Sequence, residues 1–304
     1  MVLWRNVADW AKKRPKAMRL ADRLGRGRGR FRWLDGLSVP AKRPHLPDLC
    51  NWEQHELAAV WIGHATVLIR VGGKTLLTDP VFARRIGVSL GLMTGGPGRL
   101  IAPALGWREL PPLDLILISH AHFDHLDRPT LARLSRQTPV ITAPQTRDLI
   151  DDLGFADVRE LDWGQSVRLG DLTIRSWEVK HWGARAFFDQ HRHACAYVLE
   201  AGGKRVLFGG DTAFGKHFQS AGKVDLAVLG IGAYNPWVAA HATPEQAWKM
   251  AGQVRADFVL PMHHSTFRLS REPTAEPLDR LRQAAGGSSD RLVACEIGQV
   301  WNLN

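Results

Sequence analysis

The chain has 304 residues, 45% hydrophobic and 23% charged, which is enough apolar material for a substantial core and excludes disordered, collagen-like and disulfide-scaffold classes. Its net charge of +10 is localised: residues 1–43 hold 13 Lys and Arg against 3 Asp, whereas residues 44–304 hold 27 charges of each sign. Cys50, Cys195 and Cys295 are odd in number and far apart, so they suggest neither a disulfide framework nor a cysteine zinc site, and a reducing cytoplasm is the natural compartment.

The basic segment comes first. Its longest apolar run before Arg5 is Met1-Val2-Leu3-Trp4, short of the roughly 7–15 residues a signal peptide needs. No stretch approaches the roughly 20 apolar residues of a membrane span. Leu3, Val7 and Trp10, then Ala17, Ala21 and Leu24 after Pro15, predict a kinked basic amphipathic helix that fails at Gly25-Arg26-Gly27-Arg28-Gly29-Arg30. A solvated tail, a helix packed through its tryptophans, an anionic membrane surface and nucleic acid are all open readings of this segment. We divide the chain into this arm, residues 1–55, and a body, residues 56–304.

In the body, Ala58 to Val71 and Lys74 to Thr78 read as strands joined at Gly72-Gly73, a tight hairpin. The pattern returns at Val198 to Gly210 around Gly202-Gly203, and the two copies end in Asp79 and Asp211, which suggests two similar halves. The glycine-rich stretch Gly87 to Gly98 reads as a surface loop, a lid or a lipid contact. Helices are expected at Pro129 to Gln137, Gln145 to Leu153, Pro244 to Val254 and Ala275 to Ala285, with Thr243-Pro244 a capped start. Strand groups separated by helices predict a layered α/β body with sheets inside and helices outside.

The strongest chemical signal is His120-Ala121-His122-Phe123-Asp124-His125, directly after the apolar run Leu115 to Ile118. Four metal-ligand side chains in six residues at a strand end are unlike core histidines, and imidazole with carboxylate suits zinc, manganese or iron. Three other apolar strands also run into a ligand: Leu172 to Lys180 into His181, Arg205 to Gly210 into Asp211, and Asp257 to Met262 into His263. Strand ends of layered α/β folds gather along one edge, where sites are built. Seven ligands exceed one tetrahedral ion and suit two ions about 3.5–4 Å apart, whose bridging water ionises near neutrality. No serine or cysteine nucleophile motif is needed.

The six-residue cluster resembles the H-x-H-x-D-H signature of the metallo-β-lactamase fold superfamily, over about residues 57–300. The branch it is most similar to contains the N-acyl-phosphatidylethanolamine-hydrolysing phospholipases D. The matching stretches are Trp61 to Ile69, Leu77-Thr78-Asp79-Pro80, Glu109 to Asp114, Glu160-Leu161-Asp162-Trp163, Gly210-Asp211-Thr212 and Ile231-Gly232-Ala233-Tyr234. The resemblance implies a four-layered αββα sandwich of two similar halves. It implies His120, His122 and His181 on one zinc, Asp124, His125 and His263 on the other, and Asp211 bridging. It also implies that Asp124 and Asp211 orient the water, and that His241 lies beside the metals and polarises the scissile group. His64 and His264 are candidates for hydrogen bonds behind the ligands.

The chain departs from the lipases in two loops, Asn235 to Ala240, which is shorter, and the stretch after His181, Trp182-Gly183-Ala184-Arg185. The leading expectation is a dinuclear zinc phosphodiesterase acting on phospholipid, located in the cytoplasm and peripherally on the inner membrane face through the basic arm. A soluble lactonase or other ester hydrolase is the alternative. A nuclease would use the arm as its RNA contact, but the dedicated substrate-binding insertions of family nucleases are not seen. The non-hydrolytic di-iron members place Glu where this chain has His122. A non-catalytic metal-binding module would leave an open two-ion site idle.

Overall fold

The computed structural model describes residues 44–89, 94–186 and 189–303. The basic segment 1–43, with its kinked helix and its membrane and nucleic-acid readings, lies outside the described residues. Residues 44–55, grouped with the arm on sequence grounds, pack on the body. Trp52 is buried with its indole N–H on Thr75 Oγ1 at 3.1 Å, and Arg70 donates to the His55 carbonyl at 2.8 Å.

In chain order the first half carries β1 (Leu57–Gly63), β2 (Thr66–Val71), β3 (Lys74–Thr78), the short pair β4 (Val88–Ser89) and β5 (Thr94–Gly95), β6 (Leu115–Ile118), the single-turn helix α1 (Arg128–Leu131), β7 (Val140–Thr142) and β8 (Val158–Glu160). The second half carries β9 (Ser166–Leu169), β10 (Leu172–Glu178), β11 (Cys195–Ala201), β12 (Lys204–Phe208), β13 (Leu226–Gly230), α2 (Pro244–Gln253), β14 (Phe258–Met262), α3 (Glu276–Ala285) and β15 (Val300–Leu303). Two sheets result, ordered β15-β1-β2-β3-β6-β7-β8 and β14-β13-β12-β11-β10-β9.

The layering follows from the strand period of two. In β11 Cys195, Tyr197 and Leu199 join the core shared with the first sheet, while Ala196 and Val198 face a second core built with the α2 residues Ala247, Met250 and Ala251. The alternation repeats in β12, where Val206 and Phe208 point one way and Leu207 the other, and in β13, where Leu226 and Val228 oppose Ala227 and Leu229. Two sheets face each other with helices on their outer faces, the sandwich expected from the sequence. Among the described residues, no helix is long and apolar enough to cross a membrane.

Two expected helices are shorter than their patterns. The 129–137 pattern yields only one turn, because the Arg136 guanidinium takes the carbonyls of Leu131, Ala132 and Leu134 at 2.7–3.0 Å and so satisfies the groups a further turn would use. The 145–153 pattern becomes two 3-10 turns, Arg147–Leu149 and Asp151–Leu153. Side chains again intervene: Arg128 bonds the Leu149 carbonyl and Arg192 the Gln145 carbonyl. By contrast α2 keeps its expected length, with Thr243 and Gln246 forming a capping box and Pro244 in the first turn.

The paired glycine hairpins meet. Gly72, Gly73, Gly202 and Gly203 all have positive φ, as a tight primed turn requires. A Cβ on Gly72 would lie 2.5 Å from the Ala201 carbonyl carbon, and one on Gly202 would lie 2.8 Å from Gly72 Cα, so each tip is seated on the other. A Cβ on Gly73 meets nothing within 4 Å. Left-handed backbone costs any L-residue about 1–2 kcal/mol, and Gly72→Ala adds a backbone clash. Gly72→Ala should therefore lower unfolding free energy by at least about 1 kcal/mol more than Gly73→Ala in denaturant titration. Equal losses would show that the tips do not bear on each other.

Candidate metal centre

Strand direction brings the expected ligands together. β3 and β6 are parallel, β12, β13 and β14 are parallel, and β10 runs with them because both β10 and β12 are antiparallel to β11. The carboxyl ends of β6, β10, β12 and β14 therefore deliver His120, His181, Asp211 and His263 to one edge between the sheets. β6 is fully buried, so the chain reaches solvent only beyond Ser119, where the tight turn holding His122, Asp124 and His125 begins.

Two four-residue clusters form, His120–His122–His181–Asp211 and His64–Asp124–His125–His263, and a third grouping links Asp211 with His241 and His263. One oxygen of Asp211, Oδ2, is central to all of them. It lies 3.1 Å from the Nε2 atoms of His125 and His263, and 3.8–3.9 Å from ring nitrogens of His120, His181 and His241. The seven residues named as ligands from the sequence thus share one site, with His241 at its half-buried rim. Of the two histidines expected behind the ligands, His64 joins the site with Nε2 2.9 Å from Asp124 Oδ2. His264 does not. Its ring lies 4.5 Å from Trp61 and Nδ1 meets Ser265 Oγ.

The donor arrangement fits a cation. His181 Nδ1 donates to the Ala240 carbonyl, which leaves Nε2 as a bare acceptor. Ser119 gives its hydroxyl proton to Asp79, so Ser119 Oγ accepts from His120 Nδ1 and His120 Nε2 is likewise bare. Both bare nitrogens face His122 Nδ1, at 2.9 and 3.3 Å. One proton at most can lie among three such atoms, so lone pairs converge unmatched. Asp211 Oδ1 is buried with no partner at all. Nitrogen and carboxylate lone pairs aimed at one point suit a divalent ion.

Charge divides along the same lines. Burial holds His120 and His181 well below the ordinary imidazole range and brings His241 down to about 4, so these rings are neutral at physiological pH. Burial also opposes the charged form of His125 and His263. There Asp211 and Asp124 outweigh it, raising His263 to about 9 and His125 well above its usual value. Burial in turn would raise Asp124 and Asp211, yet the surrounding histidines hold both well below the carboxylate range. The site is a strongly anionic sink that protons fill where metal ions do not.

Residues 74–264 match the Beta-lactamase superfamily domain, well over half of the chain. The chain belongs to the metallo-β-lactamase superfamily. It is 32% identical over 274 residues to the N-acyl-phosphatidylethanolamine-hydrolyzing phospholipase D 1 of Caenorhabditis elegans, spanning 82% of this chain and 76% of that one. It is 33% identical over 251 residues to an uncharacterized protein of Mycobacterium tuberculosis, spanning 79% and 67%. A possible metal-dependent hydrolase of Veillonella parvula shares the fold with a TM-score of 0.66 at 17% identity, over 82% of this chain and 100% of that one. The chain is thus a metal-dependent hydrolase of the β-lactamase fold.

Behind the expected ligands, this metallo-β-lactamase-fold hydrolase carries residues that the sequence did not single out. Asp79 is fully buried and accepts from the Ser119 N–H at 2.7 Å, the Ser119 hydroxyl at 2.6 Å and His125 Nδ1 at 2.7 Å. One carboxylate therefore orients His125 directly and His120 through Ser119. The signal was present, since Asp79 ends the first glycine hairpin as Asp211 ends the second. His64 contributes its backbone as well: its carbonyl accepts the His263 N–H at 3.0 Å and the Trp61 indole at 2.8 Å. His64, Asp79 and His263 all have positive φ, a strain of about 1–3 kcal/mol each that concentrates at this site.

Asp79→Asn removes the charged acceptor from both rings. It should lower metal affinity about 10–100-fold by competition against a chromophoric chelator, while Asp114→Asn, on the partly exposed ion pair with Lys74, leaves affinity unchanged. Equal behaviour of the two variants would refute the orienting role.

Proposed function

We propose that the chain is a dinuclear zinc phosphodiesterase that acts on phospholipid. The observation that carries the two-ion reading is Asp211, which belongs to the His120–His122–His181 cluster and sets Oδ2 3.1 Å from His125 and His263 of the other. We assign His120, His122 and His181 to one ion and Asp124, His125 and His263 to the other, with Asp211 between them. Manganese or iron suits the same donors. When bound, two such ions supply an activated water and a Lewis acid for a phosphoryl oxygen.

The protein's own part is orientation. Asp211 Oδ1, buried without a partner, and Asp124 are the acceptors placed to align a water molecule. His241, kept neutral by burial and lying at the rim, polarises the scissile group through its ring. The phospholipid reading rests on the 32% identity to a relative named for N-acyl-phosphatidylethanolamine hydrolysis. The rim supports it. Of the exposed large apolar side chains, Trp182, Phe214, Trp237 and Val238 sit on the three segments that flank His181, Asp211 and His241. These segments are mutually bonded, Ala213 N–H to the Lys180 carbonyl and Ala242 N–H to the Thr212 carbonyl. Trp182 stacks on His181 with ring centroids 4.7 Å apart. An apolar rim suits acyl chains better than a sugar–phosphate backbone.

A lactonase is the alternative, because the same centre can act at a carbonyl. A panel of N-acyl-phosphatidylethanolamine, a chromogenic phosphodiester and a simple lactone separates the two. Both phosphodiesters should be cleaved, with close to two metal ions per chain by elemental analysis. His122→Ala should lose more than about 100-fold in kcat/KM, beyond the loss typical of residues behind the ligands, with its unfolding transition retained. Cleavage of the lactone alone overturns the proposal.

We further propose that the basic segment holds the enzyme to anionic surfaces and takes no part in the chemistry, each Lys or Arg near such a surface contributing about 1 kcal/mol. A chain beginning at Pro44 should hydrolyse the soluble phosphodiester normally and lose salt-sensitive binding to anionic vesicles. Unchanged vesicle binding would assign the segment another purpose.

A further inference from the structure

The supports behind the metal centre are unevenly shared. His120 rests on Ser119, His125 on Asp79, His181 on the Ala240 carbonyl and Asp124 on His64. His122 has no such side-chain support among the described residues. Its Nδ1 faces His120 and His181, and its ring meets Trp182 edge-on at 5.3 Å. What fixes its turn is Arg185, four residues after His181. Arg185 Nη1 donates to the Ala121 carbonyl at 2.9 Å and to the Leu126 carbonyl at 2.7 Å, the two carbonyls on either side of residues 122–125. The guanidinium also lies 4.1 Å over the Phe123 ring, inside the same turn. The turn closes on itself through the N–H groups of His125 and Leu126 on the His122 carbonyl. Buried Asp127, next in sequence, supplies the nearby negative charge that favours the guanidinium.

We propose that Arg185 is the positioning residue for His122. It braces the turn against the segment that carries His181, and so sets the metal affinity of the His120–His122–His181–Asp211 cluster. The other cluster does not depend on it, because Asp124, His125 and His263 have their own anchors in His64, Asp79 and the His64 carbonyl. A guanidinium suits this position because it is charged at every relevant pH, presents donors in a fixed fork and stacks on an aromatic face. The inference rests on the metal-binding reading above.

The test is cobalt titration of the metal-free full-length chain, followed by its visible spectrum. The wild-type protein should bind two ions. Arg185→Met should bind one with near wild-type affinity and the other at least tenfold more weakly. Arg185→Lys, which retains a charged donor but loses the fork, should fall between and carries the test if the Met variant does not fold. In a His263→Ala background, which leaves the first cluster intact, the Arg185→Met loss should persist; in a His181→Ala background it should vanish. Arg192→Met is the control, since Arg192 anchors the same loop through Asp148 and Asp189 without touching the turn. The brace is refuted if Arg185→Met binds two ions as the wild type does, if both sites weaken equally, or if Arg192→Met reproduces its effect. A wild-type chain that binds no cobalt refutes the metal reading itself, and the brace with it.

Discussion

Asp211 Oδ2 lies within 4 Å of five histidine ring nitrogens, four of them on fully buried or nearly buried rings. Two carboxylates and this many imidazoles cannot leave water together unless positive charge sits among them, since removing an unpaired ion from water costs several kcal/mol even after relaxation. Every other feature of the site answers that requirement. The rings nearest Asp211 Oδ2, His125 and His263 at 3.1 Å, keep protons against the effect of burial, whereas His120, His181 and His241 are forced neutral. The same field that holds protons on two rings attracts divalent cations more strongly still, so metal affinity and the perturbed titrations have one origin.

Such a convergence is stable only on rigid supports. His120, His181, Asp211 and His263 each stand one to three residues beyond a strand, where the sheet fixes the backbone direction, and His122, Asp124 and His125 follow in the turn after His120. Three residues at strand ends, His64, Asp79 and His263, adopt left-handed backbone, and each carries a hydrogen bond that needs it: His64 O to His263 N–H, and Asp79 to both Ser119 groups. The sandwich keeps the two sheets in register from the opposite end, where the paired glycine tips seat against each other. Strain at one edge and close contact at the other are both consequences of two similar halves meeting face to face.

How far this was legible depends on what kind of partner a residue has. The convergence of the seven residues proposed as ligands was readable because a strand that ends in His or Asp leaves a linear trace, and four of them fall within six positions. The layered fold was readable from the alternation in Val206, Leu207 and Phe208 and from Gly72-Gly73 and Gly202-Gly203. The helices at 129–137 and 145–153 were overestimated, since Arg128, Arg136 and Arg192 cap carbonyls across space and periodicity does not register that. Asp79 was visible as one of two hairpin-ending aspartates, but its partners Ser119 and His125 lie 40 or more positions away. Arg185 left no trace at all: it recognises carbonyls, which every residue has.

The distribution of charge narrows what the mouth can recognise. The segments flanking it, residues 181–186, 211–215 and 235–241, contain one cationic side chain, Arg185, and its donors are spent on Ala121 and Leu126. A phosphate arriving there meets no free arginine or lysine from these segments, so its negative charge must be balanced within the metal-ligand clusters. What the segments do offer is Trp182, Phe214, Trp237 and Val238. Covering the exposed half of one indole removes about 100 Å² from water, roughly 2.5 kcal/mol at about 25 cal/mol/Å². That is close to a hundredfold in affinity for a substrate with an apolar segment beside its scissile bond, and nothing for a wholly polar one. Among these described segments, selection at the mouth is thus left to metal-ligand chemistry and apolar contact, while the excess of basic residues behind the charge of +10 belongs to residues 1–43 of the sequence.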